Sequence, residues 1–264
     1  MTRVAVVGHV EFVEFLPVPR FPRDGEVINA ERSFLRAGGG GGVAAVMLVE
    51  LGAEVDFFCA LGRDDAGRAA LAQLEDRGAR VHVAWRDEPT RRAETLLEAS
   101  GERTIITIGE RLEPRGTDEL DWGLLRDVSA VYFTAGDAGA LGHARRAPVV
   151  VASPRARDVL ETSIVDAIVY SEGDPDEREW TERAARHARL LVATEGAHGG
   201  RWWGESEGRW ASAPVPGPVK DSYGAGDSFA AAFTLGLGRG DSVPDAAALG
   251  ARTGALALTR AGVP

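Results

Sequence analysis

Short apolar runs, each about as long as one buried strand, recur along the chain. They occur at Val4–Val7, Val55–Cys59, Val128–Phe133, Val149–Ala152, Ala167–Tyr170 and Leu190–Ala193. Helix-like segments lie between or after these runs, at Val43–Leu51, Ala66–Arg77, Gly139–Arg146, Glu177–Ala188, Ala225–Leu237 and Pro244–Leu258. Strands that alternate with helices imply crossover connections and a mostly parallel sheet covered on both faces. The pattern therefore predicts an α/β fold, organised as a single domain over residues 1–264.

Two segments break this alternation. Glu26–Phe34 and Arg92–Ile108 show the polar and apolar alternation of half-exposed strands, and Ser100–Arg103 is typical of a hairpin turn. We expect these segments to form a small antiparallel β-sheet that projects from the main domain, with its parts at about 10–36 and 86–109. Such a sheet is a lid over a site, a contact between two copies of the chain, or a set of edge strands.

The charge balance restricts the partners. The 264 residues include 30 basic and 40 acidic side chains, which gives a formal net charge of −10. Because a phosphate backbone needs a basic face, this charge argues against nucleic acid as a general partner. The apolar runs are too short for a signal peptide or a membrane-spanning helix, so we expect a cytoplasmic protein without membrane contact.

Scarce residue types exclude further classes of site. Cys59 is the single cysteine, which excludes an intramolecular disulfide and a multi-cysteine zinc site. The histidines lack metal-ligand spacing, so we expect ordinary surface or core roles for all of them. Lys220 is the single lysine and does not belong to a G-x-x-x-x-G-K-[ST] motif, which excludes a Walker-type nucleotide site.

The most informative stretch is Asp221–Phe229, which reads D-S-Y-G-A-G-D-S-F. Its small residues lead into an apolar helix, and the free N–H groups of a helix N-terminus attract anions. Gly224, Ala225 and Gly226 are small enough for a phosphate to reach their backbone amides. Asp227 would then stand beside that phosphate, where a carboxylate can accept a proton from an attacking hydroxyl. The alternative interpretation is an ordinary capped helix start.

The same stretch resembles the C-terminal signature of the ribokinase-like, or PfkB, carbohydrate kinases. Other segments resemble motifs of that family and occur in the order that the family requires. They are the glycine signature at Gly38–Gly42, the G-x-D-x-x-G segment at Leu61–Gly67, the lid strand at Glu102–Ile105, the N-x-x-E motif at Asp174–Glu177, the T-x-G turn at Thr194–Gly199 and the chain end at Leu258–Gly262. The resemblance covers nearly the whole chain.

The resemblance implies a three-layer αβα fold with a β lid, and ATP-dependent transfer of the γ-phosphate to a hydroxyl. Within the phosphate-binding motif it makes Asp227 the general base and Gly224–Gly226 the anion hole, with Ala225 between the two glycines. Around the nucleotide it implies Asp174 and Glu177 for Mg²⁺ through waters, Thr194, Gly196 and Gly199 beside ATP, and Asp221 for a monovalent cation such as K⁺. It also implies that Gly39 and Gly40 offer backbone amides to substrate hydroxyls.

The acceptor side departs from the family pattern. The aspartate usual after the first strand is replaced by valine, with Glu11 and Glu14 nearby, and Gly41–Ala44 lacks the family's lysine and asparagine. Glu11 and Asp137 follow predicted strands at the end where α/β sheets bind ligands, so each is a candidate for substrate hydroxyls or a solvated loop acid. Arg103 on the lid strand either reaches an anionic substrate or faces water.

The sequence leaves three functions open. The first is a kinase for a sugar or a similar polyol. The second is a nucleoside kinase on the same fold, which an aromatic pocket built from Phe12, Phe15 and Phe34 would favour. The third is a catalytically silent relative that binds a metabolite, an interpretation motivated by the altered acceptor residues. An open lid edge also invites pairing with a second copy, so we expect a homodimer.

Overall fold

The computed structural model describes residues 1–98 and 100–263. The strands are β1 (Arg3–Val7), β2 (Glu11–Val18), β3 (Phe34–Gly38), β4 (Glu54–Gly62), β5 (Arg80–Arg86), β6 (Arg92–Glu98), β7 (Arg103–Ile108), β8 (Ala130–Phe133), β9 (Val150–Ala152), β10 (Val165–Ser171), β11 (Ala188–Thr194), β12 (Gly200–Gly204) and β13 (Gly208–Trp210). The α-helices are α1 (Gly39–Glu50), α2 (Asp65–Asp76), α3 (Ala138–Ala144), α4 (Arg157–Leu160), α5 (Pro175–Arg183), α6 (Ala225–Arg239) and α7 (Val243–Ala257).

The larger sheet forms the centre of the fold, with the strand order β13-β12-β11-β10-β9-β8-β1-β4-β5. The strands from β5 to β11 in this order run parallel, whereas β12 and β13 add an antiparallel edge. The order reverses at β1, which lies between β4 and β8. Ligands of open α/β sheets bind outside the carboxyl ends of the strands at such a switch point. The predicted mostly parallel sheet is confirmed.

Helices cover both faces of this sheet, because successive strand residues point to opposite sides. In β4, Phe57 belongs to a core that includes Leu74 of α2 and Phe233 of α6. Its neighbour Phe58 belongs to the core on the other face, which includes Leu141 of α3. The three-layer αβα arrangement is therefore confirmed.

A second sheet, with the strand order β3-β2-β6-β7, is the predicted lid. The outer pairs β2–β3 and β6–β7 are antiparallel, and β2 and β6 run parallel between them. The turn at Ser100–Arg103 connects β6 to β7 as expected, and residue 99 of the predicted lid segment lies outside the described residues. The lid is attached to the core by β2, which follows β1 after three residues, and by β3, which runs directly into α1.

The strand expected at Glu26–Phe34 is wrong except for Phe34, the first residue of β3. Residues 19–33 form no strand, and the lid takes Glu11–Val18 in their place. Most of residues 19–33 are exposed, and Val27 is 92% exposed, so the alternation in that segment has no apolar face to bury.

Helix α1 begins earlier than its apolar pattern predicts. It was expected from Val43 but starts at Gly39, so the glycine run forms its first turn. The reason is close packing against the end of β1, since a Cβ at Gly41 would lie 2.8 Å from the backbone oxygen of His9. Helix α5 ends earlier than expected, at Arg183, and a short 3-10 turn follows it.

Helices α6 and α7 pack against each other through small residues. A Cβ at Gly250 of α7 would lie 2.9 Å from ring carbons of Phe229 and 3.0 Å from its backbone oxygen. Two helices can approach this closely only where one of them lacks a side chain. This contact lies beside the N-terminal end of α6, so it helps to hold that end in place.

We expect Gly250→Ala to lower the free energy of unfolding by about 1–3 kcal/mol, because the added methyl group overpacks the contact between the two helices. Gly142→Ala is the matched control, since Gly142 lies on the exposed side of α3 with no heavy atom within 4 Å of a built Cβ. That change should raise stability by up to about 1 kcal/mol through helix propensity. Urea unfolding followed by circular dichroism measures both, and an unchanged stability of the first variant would contradict the close packing.

Candidate active site

Two cavities meet at the N-terminus of α6. The larger has a volume of about 1050 Å³ and lies between the start of α5, the end of β11 and the helices α6 and α7. The smaller, of about 380 Å³, lies between the lid and the first turn of α1. Asp227, Gly224, Arg155 and Arg103 line both cavities. A group bound in one cavity can therefore meet a group bound in the other at these residues.

Asp227 occupies the first turn of α6 at this junction and is 8% exposed. Its Oδ1 accepts a hydrogen bond from Arg155 Nη1 at 2.5 Å and a longer one from the Tyr132 hydroxyl at 3.4 Å. The Asp227 carboxylate raises the pKa of the Arg155 guanidinium, so Arg155 keeps its charge despite its position. The junction thus holds a buried carboxylate whose orientation is set by an arginine.

The N-terminus of α6 opens toward the larger cavity. Gly224 caps the helix with a φ of 72°, which favours glycine, and a built Cβ at Gly226 meets no heavy atom within 4 Å. Both residues and Ala225 line the larger cavity. The first N–H groups of a helix lack intrahelical acceptors, and the helix dipole adds partial positive charge. The structure therefore brings the predicted anion hole together with Asp227.

The residues implied for the nucleotide also line the larger cavity; they are Asp174, Glu177, Thr194, Gly196 and Gly199. Asp174 is the N-cap of α5, and its Oδ1 accepts hydrogen bonds from the backbone N–H groups of Asp176 and Glu177. Glu177 Oε2 accepts from the backbone N–H of Ser171 at 3.0 Å, and burial raises the pKa of its carboxyl group. The expected nucleotide side is thus assembled from two separate parts of the chain, which meet the N-terminus of α6 in the same cavity.

A magnesium ion bound with a nucleotide fits this cavity. Glu177 and Asp174 bring carboxylates to it, and Mg²⁺ prefers oxygen ligands while it keeps several waters. Across residues 1–98 and 100–263, no group of three or more His, Cys, Asp or Glu side chains could hold a metal ion. The two carboxylates would therefore act on the ion together with phosphate oxygens and waters.

Asp221 lines neither cavity and instead organises the loop before α6. Its carboxylate is buried, with Oδ1 accepting from the Tyr223 N–H and Oδ2 from the Gly262 N–H, both at 2.7 Å. Burial raises the pKa of this carboxyl group, and the two hydrogen bonds oppose that shift. Asp221 thus ties the entry of α6 to the C-terminal segment.

Most residues expected on the acceptor side lie together. Glu11, Gly39, Gly40 and Arg103 line the smaller cavity. Asp137 does not, because its Oδ1 caps α3 and accepts from the backbone N–H groups of Ala140 and Gly116 at 2.8 Å each. An aspartate between a strand and a helix suits capping as well as ligand binding, which is why position alone misassigned it.

The backbone amides expected to contact substrate already have protein acceptors. The Gly39 N–H donates to the Tyr223 hydroxyl at 3.0 Å, and the Gly40 N–H donates to His9 Nε2 at 3.3 Å. What Gly40 provides is space, since a built Cβ there would lie 3.0 Å from Asp227 Oδ1. The glycines therefore allow α1 to approach the carboxylate, and they do so without free amides of their own.

Sequence reasoning missed several charged or titratable residues of the smaller cavity, namely His9, Arg91, Arg111 and Arg155. His9, for which an ordinary surface or core role was expected, is buried, and its ring forms part of the cavity wall. His9 follows β1 and Arg155 follows β9, so position just beyond the carboxyl end of a parallel strand was an available signal for both. Arg91 and Arg111 do not directly follow a strand of the parallel sheet, so they gave no such signal.

His9 is held in its neutral form. Burial is the largest cause that lowers its pKa well below the ordinary value of 6.5, followed by the charges of Arg111, Arg155 and Arg91. Its Nε2 accepts the Gly40 hydrogen bond and so carries no proton. Protonation would remove that acceptor and place a cation among arginines.

We expect His9 to make the protein less stable as the pH falls. Its folded-state pKa lies below 6.5, so the unfolded chain binds more protons and the free energy of unfolding decreases as the pH drops through that value. Urea unfolding between about pH 7.5 and about pH 5.5 measures the slope. His9→Gln should flatten this part of the profile, whereas the exposed control His198→Gln should not; equal slopes for wild type and His9→Gln would contradict the assignment.

Comparisons with known proteins identify the family and the fold. The sequence model of the pfkB family carbohydrate kinase matches residues 1–147 and 163–263. Ribokinase of Bacillus subtilis (strain 168) is 25% identical over 279 residues, which covers 98% of this chain and 93% of that protein. The structure of Arabidopsis thaliana ribokinase complexed with ribose and ATP has a TM-score of 0.78 at 20% identity. The match covers 99% of this chain and 94% of that chain.

The fold extends to relatives with a different acceptor. Adenosine kinase from Sinorhizobium meliloti has a TM-score of 0.80 at 18% identity, covering 99% of this chain and 95% of that chain. The interval between the two matched stretches of the family model, residues 148–162, contains Arg155. The match nevertheless spans far more than half of the sequence, and this chain belongs to the pfkB family of carbohydrate kinases.

Proposed function

We propose that this protein transfers the γ-phosphate of ATP to a hydroxyl group of a sugar or sugar-like small molecule. The observation that supports the proposal is the position of Asp227 and the N-terminus of α6, which lie where the larger cavity meets the smaller one. A cavity of about 1050 Å³ suits a nucleotide, and one of about 380 Å³ suits a small acceptor. Family membership points to the same reaction class, a phosphotransferase with an alcohol acceptor.

In this mechanism Asp227 is the general base. Arg155 holds Oδ1, and among the described residues none donates a hydrogen bond to Oδ2, so Oδ2 is the oxygen available to an acceptor hydroxyl. As the hydroxyl oxygen attacks phosphorus, its proton passes to Asp227 and a new O–P bond forms. The bond from phosphorus to the bridging oxygen of ADP breaks, and that oxygen keeps the electron pair.

Positive charge for the transfer comes from several sources. The N–H groups of Gly224–Gly226 and the guanidinium groups of Arg103 and Arg155 face the junction, where they can offset charge on the moving phosphoryl group. Bound magnesium would add Lewis-acid charge at the phosphates. The site therefore does not need a lysine, which agrees with the absence of a P-loop motif.

The structure offers little support for the other two functions. The aromatic pocket that would favour a nucleoside is not formed, because Phe15 stacks on Phe34 at 5.1 Å inside the lid and neither lines the smaller cavity. Phe12 does not line it either. A catalytically silent relative would not be expected to retain Asp227 against an open helix N-terminus.

Oligomeric state and location stay predictions. Strand β7 is an edge strand whose side chains Ile105, Ile106 and Ile108 are exposed, which supports pairing of two lids. In the part of the chain that the structure describes, no helix has the length and apolar character needed to cross a membrane.

A role of Asp221 for potassium is not part of the proposed mechanism, since both of its oxygens accept backbone hydrogen bonds.

We expect Asp227→Asn to reduce kcat by about a hundredfold or more, because an amide cannot accept the proton of the hydroxyl. Binding of ATP, measured by isothermal titration calorimetry, and the circular dichroism spectrum should stay close to those of the wild type. The exposed control Asp76→Asn at the end of α2 should leave all three unchanged. Near-normal turnover of Asp227→Asn would remove the general-base role.

We expect Gly40→Ala to reduce acceptor kcat/KM by about tenfold or more, because its methyl group would displace Asp227 Oδ1 and misalign the base. Gly42→Ala is the matched control in the same helical turn, since its built Cβ comes no closer than 3.7 Å to another heavy atom. Steady-state kinetics with ATP and acceptor varied in turn separate an effect on the acceptor from an effect on ATP. Equal acceptor kinetics for both variants would contradict the role of Gly40.

A further inference from the structure

The smaller cavity carries a surplus of positive charge in an acidic protein. Its charged lining consists of four arginines and two carboxylates: Arg91, Arg103, Arg111, Arg155, Glu11 and Asp227. His9 is neutral there, so the formal surplus is two positive charges. The chain as a whole has a formal net charge of −10, so this concentration of arginine does not follow from composition. A neutral sugar has no group that needs it.

The nucleotide does not account for all of these arginines. Arg103 and Arg155 line both cavities and can act on phosphate groups at the junction. Arg91 and Arg111 line the smaller cavity but not the larger one. They come from the two ends of the lid segment, just before β6 and three residues after β7. Two guanidinium groups therefore line the smaller cavity alone.

The contacts of Arg91 leave donor capacity unused. Its Nε lies 3.2 Å from Glu11 Oε1, yet this nitrogen is buried without a hydrogen-bond acceptor of suitable geometry among the described residues. Glu11 is buried beside Arg91, so its carboxylate balances the charge of that arginine. This role differs from the binding of sugar hydroxyls that the sequence suggested for Glu11. One carboxylate does not satisfy the donors of a guanidinium group.

Arg111 is held in place from outside the cavity. Its Nη2 donates to the backbone oxygen of Arg155 at 2.9 Å and lies 2.5 Å from Glu113 Oε1. Glu113 does not line the cavity, so the ion pair orients Arg111 without adding negative charge to the lining. Arg103 donates to the Ser222 hydroxyl and has no carboxylate partner within the described residues. Arg91, Arg103 and Arg111 thus line one cavity, whose lining includes only two carboxylates among the described residues.

We propose that the acceptor carries an anionic group, a carboxylate or a phosphate monoester, which Arg91 and Arg111 bind while its reacting hydroxyl faces Asp227. This inference rests on the proposed kinase function and narrows its substrate class. Arginine suits the task because its planar guanidinium donates paired hydrogen bonds to carboxylate and phosphate oxygens. The low local dielectric of a partly buried cavity strengthens such charge-assisted hydrogen bonds.

Matched acceptors test the charge requirement directly. A set of pentoses and hexoses, each with its aldonate and its monophosphate, is assayed for acceptor-dependent ADP release with the full-length protein. We expect an anionic member of a set to exceed its neutral parent in kcat/KM by about tenfold or more. The aldonate and monophosphate arms distinguish the two anionic groups. A neutral sugar that matches or exceeds both of its anionic derivatives overturns this inference and leaves the kinase proposal intact.

Variants of Arg91 and Arg111 test the proposed anion-binding site. Arg111→Gln and Arg91→Gln should each raise the KM for the anionic acceptor by about tenfold or more, and by more than the KM for ATP or for neutral sugars. Arg126→Gln, an exposed arginine on a 3-10 turn, is the control and should change none of these constants. Glu113→Gln should also raise the KM for the anionic acceptor, by less than the arginine variants, since it removes the ion pair that orients Arg111. Unchanged acceptor KM in both lid variants would overturn the inference.

Direct binding keeps the two proposals distinguishable when no acceptor is turned over. Calorimetry with ADP present measures binding of an aldonate, a sugar monophosphate and inorganic phosphate to the wild type and to Arg111→Gln. Binding that weakens in the variant supports the anion site even if phosphoryl transfer fails. The absence of binding of all three probes to the wild type overturns the anion site, whatever the result for the kinase reaction. Thermal unfolding of each variant verifies that it is folded.

Discussion

The candidate site depends on the close approach of two helix N-termini, those of α1 and α6. Gly40 reaches the Asp227 carboxylate so nearly that a Cβ would lie 3.0 Å from Oδ1, and Gly250 of α7 allows an equally close contact behind α6. Each helix N-terminus contributes partial positive charge, so their convergence favours an anion at the point where they meet. Packing of small residues thus determines the electrostatics of the site. The cavities, the ion pair with Arg155 and the lid are arranged around this contact.

Net charge and local charge separate in this protein. A formal charge of −10 opposes the binding of polyanions, yet the smaller cavity has four arginines against two carboxylates. Helix dipoles and backbone N–H groups add positive potential without charged side chains. Concave, partly desolvated sites concentrate such fields, so an acidic remaining surface is compatible with a positively charged cavity. The acidic surface then favours solubility and does not determine what the cavity binds.

Motifs local in sequence were predicted well, and contacts between distant segments were not. Gly224, Gly226 and Asp227 lie within one helical start, and their spacing alone places them together. Arg155 is 72 residues from Asp227, and nothing in the order of residues indicates that their side chains meet at 2.5 Å. Asp137 shows the opposite failure, since its position after a strand suited a ligand but its carboxylate is used to cap α3. Residues 26–33 do not form the expected strand, because most of them are exposed and they have no apolar face to bury.

The sequence by itself determined the layered α/β architecture and the glycine-rich helix start that we propose binds phosphate. Both follow from periodicity and from a short glycine-rich helix start, which act over a few neighbouring residues. Only the tertiary structure decided the acceptor side, where β1, the lid, α1 and the loop after β9 bring His9, Arg91, Arg111 and Arg155 to one cavity. Long-range packing fixes which side chains converge and which charges remain unneutralised. For that reason the residues proposed to bind the acceptor are identified only from the fold, whereas those proposed to bind the phosphate donor can be recognised in the sequence.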